Sequence, residues 1–187
     1  MRLNAWLMGA LLLAIGFPVS ATAQEGEPPM PQPVEQHKIS KQDVGTWHAV
    51  VKMWMEPGQA EPEVMKGVET NRMLGEFWVV SNFEGEFMGM PFGGISLLGY
   101  DVDRKKYHGT WRDTMTPYVM VMDGTYDAAT KTMTMVSEGK DMTGQPTRGK
   151  TVVTYEGENK RVATMYNKAP GSDEMFKSME ITYTRRK

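Results

Sequence analysis

The sequence contains no cysteine, only three histidines, and no excess of basic residues. The lack of cysteine excludes disulfide bonds, thiol nucleophiles and cysteine-held zinc or iron–sulfur sites. A net charge of −2 provides no basic stripe of the kind that binds nucleic acid or anionic membranes. A chain of this composition must therefore be stabilised by burial and by its secondary structure, and we expect no nucleic-acid partner.

Recognised catalytic and cofactor motifs are also missing. The sequence has no phosphate-binding loop, no nucleophile elbow, no His-Glu-x-x-His zinc motif and no calcium loop. The glycines at 85, 89, 93 and 94 lack the spacing of a dinucleotide-binding fingerprint, and no helical pattern follows them. We therefore expect no resident cofactor and favour a non-enzymatic function, although the residues leave an uncharacterised enzyme open.

The N-terminus has the pattern of an export signal. Arg2 precedes an apolar run over residues 5–17, which is shorter than the roughly 20 residues of a membrane-spanning helix. Pro18 ends the run, and the small residues at 21–23 suit a signal peptidase. The pattern predicts a signal peptide over 1–23, cleavage before Gln24, no membrane span afterwards, and a periplasmic or secreted protein.

A proline-rich segment follows the predicted signal. It carries four prolines and almost no bulky apolar residue, so it cannot bury enough surface to order itself. We predict a disordered linker over 24–38 and a single folded domain over 39–187. Residues 34–44 are compatible with a short helical turn that leads into this domain or plugs it.

From Gly45 onward the hydrophobic period is two, which is typical of strands with one face inward. Trp47, Ala49, Val51 and Met53 share one face of the first segment, and turn residues separate the segments that follow. A flat sheet of about ten hairpin-connected strands would leave two exposed edges, which closure removes. The fold class is therefore predicted as all-β, a single closed antiparallel up-and-down β-barrel, with strands near 47–55, 65–73, 77–84, 94–100, 107–114, 118–126, 132–135, 150–156, 162–167 and 175–185.

Several stretches resemble a bacterial protein family, the domain of unknown function 1579. The resemblance is carried by residues 75–92, 99–101, 106–111, 124–127 and 179–185, and it covers about residues 36–187. It implies no settled activity.

The two ends of the predicted barrel are similar to those of calycins, the lipocalins and fatty-acid-binding proteins. In that group a Gly-x-Trp on the first strand packs against an arginine from the end of the chain. Gly45, Trp47 and Arg185 (or Arg186) fit these positions. The resemblance implies barrel closure by a guanidinium stacked on an indole, an interaction of about 0.5–2 kcal/mol.

Methionine is unusually frequent, with 18 residues. Four pairs have Met-x-Met spacing, which places both side chains of a pair on one face of a strand: Met53/Met55, Met88/Met90, Met120/Met122 and Met133/Met135. We favour an adaptable apolar lining. The alternative is a soft-metal site for Cu(I), with Met88, Met90 and His108 as ligands. Residues 85–94 are predicted as a flexible loop, suited to that site or to a lid over the barrel mouth.

Together these patterns predict an exported β-barrel that binds a hydrophobic or amphipathic small molecule. Copper binding or an enzyme at the mouth, and a filled ligand-free structural domain, remain open alternatives, and the oligomeric state is not predicted. The expected ligand-binding residues are Met53, Met88, Met90, Trp111, Arg112, Met133, Met135 and Tyr183.

Overall fold

The computed structural model describes residues 30–169, 172 and 174–187. The predicted signal peptide and the first part of the predicted linker, residues 24–29, lie outside the described residues. Within the described part of the chain, no helix has the length and apolarity needed to cross a membrane.

One short helix precedes ten strands. The helix, α1, spans Glu35–Lys41. The strands are β1 (Gly45–Met53), β2 (Glu63–Leu74), β3 (Trp78–Phe87), β4 (Met90–Asp101), β5 (Lys106–Asp113), β6 (Met120–Asp127), β7 (Thr132–Lys140), β8 (Pro146–Tyr155), β9 (Lys160–Lys168) and β10 (Met175–Arg185).

The ten strands form a closed antiparallel barrel. Each strand pairs with the next one along the chain, and β1 also pairs with β10. The seam joins Trp47 to Arg185 and Met53 to Met179 as cross-strand partners. Because the last strand returns to the first, neither has an unpaired edge. The predicted fold class, a closed up-and-down barrel of ten strands, is confirmed.

Strand β1 shows why the sequence folds this way. Trp47, Ala49, Val51 and Met53 are buried, whereas the residues between them are exposed. Successive side chains of a strand point to opposite faces, so this alternation places one face in the barrel interior. The exposed residues include Val50, an apolar residue that interrupts the pattern in the sequence.

The predicted loop over 85–94 is wrong. Strands β3 and β4 run on through most of it and are joined by a two-residue turn, in which Met88 and Gly89 have φ values of 51° and 79°. Positive φ at both central residues matches the twist of a tight hairpin. Gly94 lies inside β4, where an added Cβ would lie 2.2 Å from the Trp111 ring. Gly94 therefore leaves space for the indole and is not part of a lid.

Helix α1 packs against one end of the barrel, here called the closed end. His37 is buried there, with Nε2 3.1 Å from the Tyr100 carbonyl oxygen and its ring edge-on to Phe77. The Tyr107 hydroxyl donates to the Gln36 carbonyl at 3.0 Å. Residues 35–38 belong to α1, so the predicted linker over 24–38 extends too far. The compact unit begins at Gln32, ahead of the predicted boundary at 39.

The Gly-x-Trp and the terminal arginine meet at the closed end. The Arg185 guanidinium carbon lies 4.1 Å from the Trp47 ring centroid. Arg185 also donates to the carbonyls of Gln42 and Val44, at 2.8 and 2.5 Å. A Cβ on Gly45, whose φ is 122°, would lie 2.7 Å from the guanidinium, so this glycine makes space for the stack. The indole–guanidinium stacking implied by the calycin resemblance is present.

Candidate ligand-binding cavity

The barrel interior holds a cavity of about 590 Å³. It extends from Asp43, which precedes β1 at the closed end, to the loop between β5 and β6, which contributes Met115 and Tyr118. The turn between β7 and β8 contributes Met142 at the same end. This end, opposite α1, is here called the mouth. A volume of this size is typical of small-molecule sites, which measure roughly 300–1,000 Å³.

Methionines from most strands line this cavity. Met53, Met179 and Met165 are cross-strand partners in succession, and the row continues through Thr151 to Met135. Neighbours in such a row have Cβ atoms about 4.5–5.5 Å apart, so their side chains touch. We call Met53, Met135, Met165 and Met179 the methionine row. The lining also includes Met65, Met115, Met120, Met122, Met133 and Met142.

Aromatic side chains form the wall contributed by β3, β4 and β5. The rings of Phe83 and Phe92 meet edge to face with centroids 5.9 Å apart. Trp111 lies beside them in the cavity, and its Nε1 donates to the Asp113 carboxylate at 2.9 Å. Because the indole nitrogen has this partner, the ring presents an apolar surface to the cavity.

A cluster of polar side chains lies at the closed end of the cavity. We call Asp43, Glu69, Tyr155, Arg161 and Tyr183 the floor cluster, and all five line the cavity. Arg161 donates through one terminal nitrogen to Asp43 and through the other to Glu69. Tyr155 donates its hydroxyl to Asp43 at 3.1 Å. Two carboxylates therefore share one guanidinium in a buried site.

The guanidinium of Arg161 is also held by aromatic rings. Its central carbon lies 4.6 Å from the Trp47 ring centroid and 4.5 Å from that of Tyr183. Stacking on aromatic faces and bonding to two carboxylates are both typical of arginine. The Nε of Arg161 is buried and has no hydrogen-bond partner.

Burial and charge set the protonation of the floor cluster. Burial raises the pKa of Asp43, and the Glu69 charge adds to this rise, while Arg161 opposes it. Burial would lower the pKa of Arg161, but Asp43 and Glu69 hold it above its ordinary value. Burial and Glu69 raise the pKa of Tyr183 well above its usual range. At neutral pH Arg161 is therefore charged and the tyrosines keep their protons.

Residues 32–185 match the family described as Protein of unknown function (DUF1579). This chain belongs to that family. No curated protein matches the chain.

Solved structures share the fold of this DUF1579 barrel at low identity. Rv2717c from M. tuberculosis matches with a TM-score of 0.61 and 10% identity, over 83% of this chain and 100% of its own. The S-type phycobiliprotein lyase CPES from Guillardia theta matches with a TM-score of 0.53 and 13% identity, over 83% and 99%. At these identities the similarities show a common barrel fold and nothing about the ligand.

The DUF1579 barrel places five of the eight sequence-predicted binding residues in the cavity lining: Met53, Trp111, Met133, Met135 and Tyr183. Met88 and Met90 lie outside it, 78% and 50% exposed at the β3–β4 turn. Arg112 points outward beside Trp111 and donates to Thr110 at 3.2 Å. The alternation of β5 that turns Trp111 inward turns Arg112 to solvent.

The residues proposed for the metal alternative do not come together. Met90 begins β4, whereas His108 pairs with Gly99 near the other end of that strand. The Nδ1 of His108 lies 2.8 Å from the Asp123 carboxylate, on the outside of the barrel. Over residues 30–169, 172 and 174–187, no group of three or more histidines and acids is placed to hold a metal ion.

Sequence reasoning missed most of the floor cluster. Arg161 alternates with Ala163 and Met165 along β9, and this spacing already places the arginine on the inward face. A charged residue on the core face of a strand is a signal of a buried polar network. Sequence spacing does not reveal the partners of Arg161, because Asp43 and Glu69 are 118 and 92 residues away along the chain.

Proposed function

We propose that this DUF1579 barrel binds a hydrophobic or amphipathic small molecule in its interior. The observation that carries the proposal is the cavity of about 590 Å³, whose lining includes ten methionines together with phenylalanine, tryptophan and tyrosine side chains. Small-molecule sites are typically concave and mostly apolar, with a few placed polar groups. The floor cluster supplies such groups at one end of the cavity, and the mouth lies at the other.

The methionine row supports an adaptable lining. Methionine has three rotatable bonds and a polarisable sulfur, so neighbouring thioethers reshape around ligands of different outline. Met165 and Met179 belong to the partly buried layer packed against the core that contains Met53. A filled structural barrel is the alternative function, and the size of the cavity argues against it.

Filling the cavity is the direct test of this proposal. Thr151 lies between Met135 and Met165 in the row of cross-strand partners and lines the cavity. In the Thr151→Phe variant, we expect saturable binding of the neutral apolar dye Nile red to fall by at least about tenfold, because the ring occupies the ligand's volume. Dye fluorescence measures binding, and thermal unfolding shows that the variant folds.

The matched control is Thr164→Phe. Thr164 lies on β9 between two cavity-lining residues, Ala163 and Met165, so its side chain points out of the barrel. This variant should bind the dye as the unchanged protein does. Equal binding by the two variants, or no saturable binding by the unchanged protein, would show that the interior is not a ligand site.

We also propose that the chain is exported. The proposal rests on the charge, apolar run and small residues of positions 1–23. Expression of the full chain should yield a mature protein whose first residue is Gln24, as measured by intact mass. Replacing Ala21 and Ala23 with leucine should block this cleavage, because the peptidase needs small residues there. An uncleaved chain in the cytosolic fraction would contradict the proposal.

A further inference from the structure

The charge balance of the floor cluster restricts which amphipathic molecule fits the cavity. Asp43 and Glu69 provide two carboxylates, with side chains only 9% and 10% exposed, and Arg161 provides one guanidinium. Two acidic side chains on one basic side chain leave this end of the cavity with an excess of acidic groups. A buried charge is strongly disfavoured unless it is paired, so the sign of this excess matters to a bound polar group.

The guanidinium of Arg161 is not available to an incoming anion. Both terminal nitrogens already donate to carboxylates, and the Trp47 and Tyr183 rings lie against its central carbon. Its Nε is fully buried, so neither in-plane edge is open for the paired hydrogen bonds by which arginine holds a carboxylate.

Other cations do not compensate at the floor. Arg185 donates to three main-chain carbonyls and is not among the described residues that line the cavity. Two lysines that line the cavity lie away from the floor cluster: Lys140 at the mouth end of β7, 5.3 Å from the Tyr118 ring centroid, and Lys150 midway along β8, over the Tyr166 ring. A carboxylate at the floor would therefore meet two carboxylates and, among the described residues there, no cation other than the already paired Arg161.

We propose that the cavity selects an amphipathic molecule whose polar end donates hydrogen bonds, as an ammonium or hydroxyl group does, and rejects the same chain ending in a carboxylate. This selectivity rests on the proposed function of ligand binding. The carboxylates of Asp43 and Glu69 already accept from Arg161, Tyr155 and Asn71. Each carboxylate has about four acceptor sites, so the remaining ones accept the donor at the closed end. The apolar chain lies along the methionine row towards the mouth.

The test compares three ligands with one chain length: decylamine, decanol and decanoate, each displacing Nile red at neutral pH. We expect the amine and the alcohol to displace the dye at concentrations at least about tenfold below that of decanoate, because like charges close together are strongly unfavourable. Equal or tighter binding of decanoate would overturn the selectivity and leave the proposed function intact. Failure of Nile red itself to bind saturably would instead reject ligand binding.

A charge-neutral variant makes the test specific to the floor. Glu69→Gln removes one buried acidic group. We expect it to lower the ratio of the displacing concentrations of decanoate and decylamine by about tenfold. Asp43→Asn makes the same charge change on the other carboxylate and should act in the same direction if Glu69→Gln does not fold. Glu138→Gln, at an exposed site facing Arg148, is the control for overall charge. An equal effect of the control would overturn the proposal.

Discussion

Replacing Arg161 with methionine is expected to lower the free energy of unfolding by about 3–5 kcal/mol, because removing one partner of a buried ion pair leaves uncompensated charge. The change removes the only guanidinium that pairs Asp43 with Glu69 in the described part of the barrel. Methionine keeps the volume and apolar character of the stem, so the loss reports charge more than packing. Urea denaturation followed by tryptophan fluorescence measures it.

Two further variants test whether the loss of stability comes from unpaired charge in the floor cluster. Adding Asp43→Asn and Glu69→Gln to Arg161→Met should recover most of the lost stability, since the three charged side chains of the floor cluster are then all neutral. Arg104→Met breaks an exposed pair with Asp123, which is expected to contribute at most about 1 kcal/mol. If Arg161→Met were no more destabilising than Arg104→Met, the floor cluster would not be a stabilising network.

The pH dependence of the Arg161→Met variant follows from the raised pKa of Asp43. A carboxyl whose folded pKa exceeds its unfolded value binds protons more readily in the folded protein. Its ionisation therefore opposes folding fully above the folded pKa, and this penalty declines as the pH falls below that value and is absent below the unfolded pKa. Loss of Arg161 removes the charge that opposed the rise, so the variant should regain stability towards acid pH relative to the unchanged protein.

Replacing Trp47 with alanine is expected to cost about 3–5 kcal/mol, the range for deleting a large buried aromatic side chain. Trp47 is 2% exposed and belongs to the largest buried core. Its Nε1 donates to the Asp43 carbonyl at 2.8 Å, and the guanidinium groups of Arg161 and Arg185 both stack on its ring. Its loss leaves a cavity and releases both arginines at the closed end.

The matched comparison is Trp54→Ala. Trp54 follows β1, is only partly buried, and contacts Lys177 with the ammonium 4.5 Å from its ring centroid. An exposed cation–π contact contributes about 0.5–1 kcal/mol, so this variant should lose less than half as much stability as Trp47→Ala. Equal losses in urea denaturation would contradict the central role of Trp47 in closing the barrel.

Local features of the candidate site were open to sequence reasoning. The inward positions of Met133 and Met135 follow from their alternation with threonines along β7, because a strand has a side-chain period of two. Met88 and Met90 show the limit of reasoning from a period of two. Their pattern also has a period of two, but a tight turn at Met88 and Gly89 places both at the exposed tip of a hairpin. Glycines at 93 and 94 suggest flexibility in sequence, whereas both lie within β4, where Gly94 makes room for the Trp111 ring.

The amino-acid sequence by itself determined the all-β class and the inward strand faces, because these depend on local periodicity. The pairing of Trp47 with a C-terminal arginine was implied by the calycin resemblance. Only the tertiary structure decided that ten methionines share one cavity and that Asp43 and Glu69 meet on Arg161. Such contacts depend on strand register and on the closure of the barrel, which bring together residues about a hundred positions apart.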